Sequence, residues 1–124
     1  MVAVSRARGN RLQNALAAYL ARWWPHAESA GAGRNGTDVI GTPGVVWECK
    51  TATDFKRDFR PAAWTQQAAG HARPGDIPVT VYFPPGIGKE NTSIALAIVP
   101  LHVLMRLLVD GAYAPEEVVK EINL

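Results

Sequence analysis

Asp38, Glu48 and Lys50 are the residues of this chain whose types and spacing could do chemistry together. Glu48 follows Asp38 by ten positions and Lys50 follows Glu48 by two. In an extended strand side chains alternate faces, so Glu48 and Lys50 stand on one side while Trp47 and Cys49 point to the other. Hard carboxylate oxygens hold Mg²⁺ through one or two ligands and leave positions for water and phosphate oxygens. Such an ion lowers the pKa of bound water, and an ammonium beside it orients that water or offsets charge developing on a transferring phosphoryl group. The chemistry implied is metal-assisted phosphodiester hydrolysis. The same residues also describe a cross-strand salt bridge at a strand end, and a D-x9-E-x-K spacing alone separates neither reading.

Two β-like runs, 37–40 and 45–50, flank Gly41-Thr42-Pro43-Gly44, whose Pro and two Gly read as a tight reversal, so the segment is expected to form a β-hairpin with Asp38 facing Glu48 across the pair. Before it, Leu12, Leu16, Tyr19, Leu20 and Trp23 recur at helical period until Pro25, with Gln13 at the edge of the stripe within reach of a neighbouring site or of solvent. Gly31 to Gly36 formally fits GxGxxG. A dinucleotide fingerprint needs a strand before it and a helix after it, whereas a strand follows here, so the segment is read as a loop carrying Arg34. Beyond the hairpin, 51–60 reads as a polar loop or short turn with Lys56 and Arg57. Pro61 opens a helix carrying Trp64, Gln66, Gln67, Ala68 and His71. Runs 78–83 and 93–99 read as strands, Pro100 opens a helix with Leu101, Leu104, Met105 and Leu108 on one face, and 113–124 suggests a short terminal helix. Gly88-Lys89 is not a phosphate loop, because Glu90 stands where Ser or Thr is required.

With 124 residues, the chain fits one domain, 1–124, with a basic arm at 1–9 and a helical tail at 110–124. Hydrophobic residues make up 48% and charged ones 19%, which places it with globular chains. A lone Cys excludes a disulfide framework, and Cys49 with His26, His71 and His102 shows no zinc-ligand spacing. No signal-like or membrane-length apolar run is visible, so a soluble, cytoplasmic location is expected. Net charge is only +2, but residues 1–60 carry nine Lys/Arg against five Asp/Glu, while 61–124 carry four against six. The basic half holds the acidic cluster, and Arg6, Arg8 and Arg11 precede it without an acid; phosphate contacts of this kind supply most sequence-independent affinity for nucleic acid.

Asp38, Glu48-Cys49-Lys50 and the later helix with Gln66-Gln67 resemble the PD-(D/E)xK nuclease superfamily, and more closely its Holliday-junction-resolvase-like branch, which includes phage-encoded nucleases. The basic, Gly-containing entry Ser5 to Arg11 and Ser29 ahead of the hairpin fit that branch as well. The resemblance covers roughly residues 5–105 and implies a restriction-endonuclease-like α/β core, a mixed central sheet flanked by helices. It implies Mg²⁺ or Mn²⁺ held by Asp38, Glu48 and the Cys49 backbone carbonyl, Lys50 orienting the attacking water, and Gln67, with Gln66 as second choice, positioning Lys50, water or phosphate. Arg6, Arg8, Arg11, Ser29, Arg34, Lys56 and Arg57 would contact DNA. Two positions depart from the pattern: Thr37 stands in place of Pro, and helix 1 offers Gln13 where many relatives carry a metal-binding Glu, which implies weaker or single-metal binding.

The activity implied is a metal-dependent DNA endonuclease, structure-specific as in Holliday-junction resolution. The alternatives are an end- or flap-directed nuclease of the same fold, or a non-catalytic DNA-binding accessory of recombination. Two symmetric nicks in a junction require two sites, so a homodimer is expected, with the strand at 79–83, the helix at 101–108 and the tail around Tyr113 and Val118 offering apolar surface.

Overall fold

The first helix begins earlier than the apolar stripe. In the structure, a computed structural model that describes residues 2–31, 36–51 and 55–117 and only the backbone of 2–6, 55 and 56, α1 spans Val2–Leu20. The expected arm at 1–9 is therefore helical from Val2 onward. Ala3, Ala7 and the arginines favour helix, and the helix interior tolerates Gly9 at a cost of about 1 kcal/mol. Leu12, Ala15, Leu16, Ala17 and Leu20 are buried. Trp23, expected on the stripe, is 59% exposed and stacks edge-on against Tyr19. The chain has already left the helix there, ahead of Pro25, and Trp24 packs on Trp47 instead.

Short strands β1 (Glu28–Ser29) and β2 (Val39–Ile40) pair antiparallel. Strand β3 (Val45–Thr51) belongs to a different sheet, where it lies parallel to β4 (Ile77–Phe83), which pairs antiparallel with β5 (Leu96–Ile98). The expected hairpin ladder between β2 and β3 does not form, for a local reason. Asp38 N–H donates to the Trp47 carbonyl. The Trp47 N–H, however, goes to Thr37 Oγ1 at 2.8 Å and the Cys49 N–H to Asp38 Oδ2 at 2.7 Å. Side-chain oxygens thus take two β3 donors that a hairpin would give to carbonyls. The reversal between them stands: Gly41 and Gly44 have φ of +85° and +82°, and Val45 N–H closes onto Thr42 O.

Between β3 and β4 lie the four-residue α2 (Phe55–Asp58) and α3 (Pro61–His71), which Pro61 opens as expected. Helix α1 covers one face of the mixed sheet, against Trp47, Val79, Val81 and Phe83; α3 covers the other, where Trp64 stacks on Tyr82 beside Phe59. Alternation along β3 consigns Val45, Trp47 and Cys49 to the α1 side and leaves Glu48 and Lys50 on the α3 side.

The strand expected over 93–99 is shorter, because a 3₁₀ turn at Lys89–Ile94 takes its first residues. Asn91 Oδ1 accepts from Gly88 N–H and Thr92 Oγ1 donates to Gly88 O, local bonds that outcompete the ladder. Helix α4 (Leu101–Asp110) forms as expected, but its apolar face is not core: only Val103 is buried, and Leu101 is 73% exposed. The expected tail helix is absent over 113–117, and 118–124 lies outside the described residues. Of the apolar surface expected for association, strand 79–83 is buried, while α4 and Tyr113 are exposed.

Candidate active site

Glu48 is the centre of the site. Its side chain is only 3% exposed, yet it is an acid, and it meets Lys50 Nζ at 3.9 Å and His71 Nε2 at 3.8 Å. Lys50 in turn donates to Gln67 Oε1 at 2.8 Å. Gln67 and His71 lie one turn apart on α3 and so share the face that looks onto β3. The sequence-expected pair Lys50 and Gln67 is thus brought together; both glutamines are exposed on α3, and Gln67 is the one that accepts from Lys50.

Asp38 reaches the same point from the chain ahead of β2. Its Oδ2 is fixed by the Cys49 N–H, and its backbone carbonyl accepts from Ala30 N–H at 2.9 Å and from Gln13 Nε2 at 2.7 Å. Gln13 Nε2 also donates to Ser29 Oγ at 3.0 Å. Gln13 from α1 and the Ala30 N–H just past β1 therefore hold the Asp38 carbonyl, and Ser29 Oγ accepts from the same Gln13 amide.

Charge and burial act on these groups together. Desolvation, and then the Asp38 charge, push the Glu48 carboxyl up to about 7 against the pull of Lys50. Burial also raises Asp38, opposed by the Cys49 hydrogen bond and the nearby Lys50 and His71. Burial, then Asp38 and Glu48, push the Cys49 thiol up to about 12, so it stays neutral and is no nucleophile. Two more polar groups line the same face of the sheet. Thr80 stands opposite Glu48 and Tyr82 opposite Lys50, and their hydroxyls are buried with no hydrogen-bond partner among the described residues.

Among the described residues, no group of three or more His, Cys, Asp and Glu side chains comes together as a metal cage. A magnesium ion does not need one, since one or two carboxylates complemented by water are its usual protein ligands. The donor set fits: hard oxygens from Asp38 and Glu48, mutually repelled, with Glu48 withdrawn from water and short of compensating positive charge.

The expected basic contacts are distributed differently. Arg8 and Arg11 line a groove of about 620 Å³ with Gly86, Gly88 and Lys89. At about 100° per residue Arg11 lies some 200° around α1 from Gln13, so this groove and the carboxylates are on different sides of the helix. Arg57 is exposed and pairs with Asp58 at 3.1 Å. Arg34 and the side chains of Arg6 and Lys56 lie outside the described residues. Sequence reasoning did not place His71 or Thr80 at the site, and it gave Thr37 only the motif's Pro position, not the hydrogen bond it accepts from Trp47 N–H. The i+4 spacing of His71 from Gln67 was the available signal for the first; a parallel register no local pattern encodes places Thr80. No protein-family model, curated protein or solved structure matches the chain. Among the described residues, no helix is long and apolar enough to cross a membrane.

Proposed function

We propose that the chain is a Mg²⁺- or Mn²⁺-dependent DNA endonuclease with a restriction-endonuclease-like core of the PD-(D/E)xK type, directed at branched DNA such as a four-way junction. The observation that carries the reading is the convergence of Asp38 and Gln67 on Glu48 and Lys50 at the β3 edge of the mixed sheet, with Asp38 tied to the Cys49 N–H and Glu48 set between Lys50 and His71. A structural salt bridge would need only Glu48 and Lys50. It gives no reason for a second carboxylate, brought from the chain ahead of β2, to raise the energy of the first.

In this reading Asp38 and Glu48, with the Cys49 backbone carbonyl, hold the ion, which supplies activated water and charge neutralisation at phosphate. Gln67 fixes the Lys50 ammonium, which would otherwise sample many rotamers. Lys50 orients the attacking water and faces the charge gathering on the phosphoryl oxygens. The water oxygen bonds to phosphorus as one ester P–O bond breaks, and the water proton leaves to solvent while the departing oxygen takes one up. Arg8, Arg11 and Lys89 offer a sequence-independent grip on a duplex arm away from the scissile bond.

The test is cleavage of a four-way junction and of its linear arms, with Mg²⁺ and with EDTA, by wild type and Asp38→Asn. Cutting that needs the metal and disappears in the variant while DNA binding persists supports the proposal. Cutting undiminished in EDTA, or wild-type rates in Asp38→Asn, would overturn it. A chain that retards DNA in a gel and never cuts is the non-catalytic accessory instead.

A further inference from the structure

Glu48 turns its two oxygens to different neighbours. Oε2 lies 3.9 Å from Nζ of Lys50, which donates to Gln67, and Oε1 lies 3.8 Å from His71 Nε2. Strand alternation accounts for Lys50. It says nothing of His71, whose ring has no other ion pair or hydrogen bond among the described residues.

The separation of 3.8 Å fits neither of two ordinary ties between an imidazole and a carboxylate. A direct N–H···O hydrogen bond spans about 2.7–3.2 Å, which is shorter. Two such bonds through one water, at its tetrahedral angle, hold the outer atoms about 4.6 Å apart, which is longer. A plain ion pair would duplicate the charge that Lys50 already sets on the other oxygen. Two ligands about 2.1 Å from a single ion stand about 3.0 Å apart at a right angle and about 4.2 Å apart when opposed, and the observed separation lies inside that range.

The surroundings favour a cation at this point. His71 closes the eleven-residue α3, and the last carbonyls of a helix carry the negative end of its dipole. The His71 side chain is 32% exposed, so solvent reaches Oε1 from that side, away from the Lys50 ammonium. Asp38 lies close enough for Lys50 and His71 both to act on its carboxyl, and the Cys49 N–H occupies its Oδ2 rather than its Oδ1. These three side chains form no closed cage, so an ion at Oε1 would complete its shell with water.

Ligand chemistry then bears on which ion. Oxygens alone suit magnesium, which gives up its water reluctantly and takes few protein ligands. An imidazole nitrogen adds affinity for first-row transition ions, and among the two ions of the proposed function that means manganese.

We propose that His71 Nε2 is a nitrogen ligand to the ion held by Glu48, and that it sets a preference of the site for Mn²⁺ over Mg²⁺. The proposal rests on the reading of Asp38 and Glu48 as ion ligands, and adds to it a residue of α3 and a choice of metal. Magnesium still binds through the oxygens, without help from the nitrogen.

Calorimetric titration of the metal-free chain with MnCl₂ and with MgCl₂, in wild type and His71→Ala, tests the preference. Wild type should bind Mn²⁺ at least about tenfold more tightly than Mg²⁺. His71→Ala should lose about tenfold or more in Mn²⁺ affinity and change its Mg²⁺ affinity by less than about twofold. Electron spin-echo envelope modulation of bound Mn²⁺ should show a directly coordinated nitrogen in wild type and none in His71→Ala. The wild-type spectrum needs no variant, so a misfolded His71→Ala cannot hide the answer. A Mn²⁺ to Mg²⁺ ratio unchanged by His71→Ala, or a wild-type spectrum without nitrogen, overturns the proposal and leaves the oxygen site standing. A nitrogen signal that survives His71→Ala assigns the ligand to His26 or His102 and overturns it as well. A wild type that binds neither ion removes the metal reading itself, a failure the same titration tells apart from the others.

Discussion

Glu48→Gln separates a strained catalytic acid from a stabilising ion pair, because the two predict opposite signs. The Glu48 carboxyl titrates at about 7 in the folded chain against an ordinary 4.5. At about 1.4 kcal/mol per pH unit, keeping that group ionised in the fold costs about 3 kcal/mol. The sign follows from the direction. A folded-state pKa above the unfolded one means the folded chain holds the proton longer, so this contribution is fully present below pH 4.5 and is lost as pH rises through about 7. The raised Asp38 acts in the same sense. Wild type without metal should therefore be more stable at pH 5 than at pH 8, and Glu48→Gln should remove most of that slope.

At pH 8 the variant is expected to melt higher than wild type by roughly 10 °C, taking about 4 °C per kcal/mol for a chain of this size. Differential scanning calorimetry at pH 5 and pH 8, with and without Mg²⁺, reads both quantities. On the nuclease reading Mg²⁺ closes the gap from the other side, by about 2.7 kcal/mol at a hundred times its dissociation constant, and does so in wild type alone. If Glu48→Gln instead melts lower than wild type at pH 8, Lys50 and His71 stabilise the carboxylate as an ordinary ion pair. Burial and the Asp38 charge then do not govern the Glu48 carboxyl.

On the proposed reading, in which its charge acts at the transition state, Lys50→Ala should lower junction cleavage by at least about 10²-fold with melting temperature little changed; Gln67→Ala should lose less, about tenfold, in single-turnover assays, because the ammonium remains but is no longer held. Retained turnover with lost stability in Lys50→Ala would mark a structural ion pair. Gly41→Ala should destabilise by about 3 kcal/mol or more in urea titration, because a Cβ there meets the His26 carbonyl inside contact distance at a positive φ; a loss below about 1 kcal/mol would mean the turn relaxes freely.

Much of the scaffold was readable locally, and the failures share one cause. The stripe Leu12, Leu16 and Leu20, the Pro61 start of α3 and the β-branched run of β4 are short-range patterns, and each element formed where its pattern lay. Glu48 and Lys50 on one face needed only strand alternation, and Gln67 beside Lys50 followed from a resemblance carried by the helix. The hairpin failed because a turn signal specifies a reversal and not its ladder. Asp38, singled out for its charge, and Thr37, noted only as standing in place of Pro, act also as hydrogen-bond acceptors that displace backbone carbonyls. Partner choice between distant strands was equally invisible. The parallel pairing of β3 with β4, which sets Thr80 opposite Glu48, depends on α3 crossing over between them. The exposed face of α4 was legible as apolar but not as uncovered, since periodicity marks a face to be buried without saying by what.

Gln13 shows how these levels meet at the site. The resemblance places a ligating Glu at this position, and the geometry gives a physical reason for an amide. Its Nε2 donates to the Asp38 carbonyl and to Ser29 Oγ, and the Asp38 carbonyl has no proton to offer a carboxylate. A Glu here would set a negative charge against that oxygen, 2.7 Å from where the donor now stands, and would release Asp38 from α1. The neutral amide therefore holds the backbone that carries Asp38, where on the proposed reading a Glu would have added an anionic ligand. With Gln13 uncharged, the anionic oxygens of the described site are those of Asp38 and Glu48, opposed by Lys50. On the proposed reading that balance suits one divalent ion with several of its positions left to water and phosphate, the coordination magnesium favours, rather than a pair of ions needing further carboxylates to bridge them.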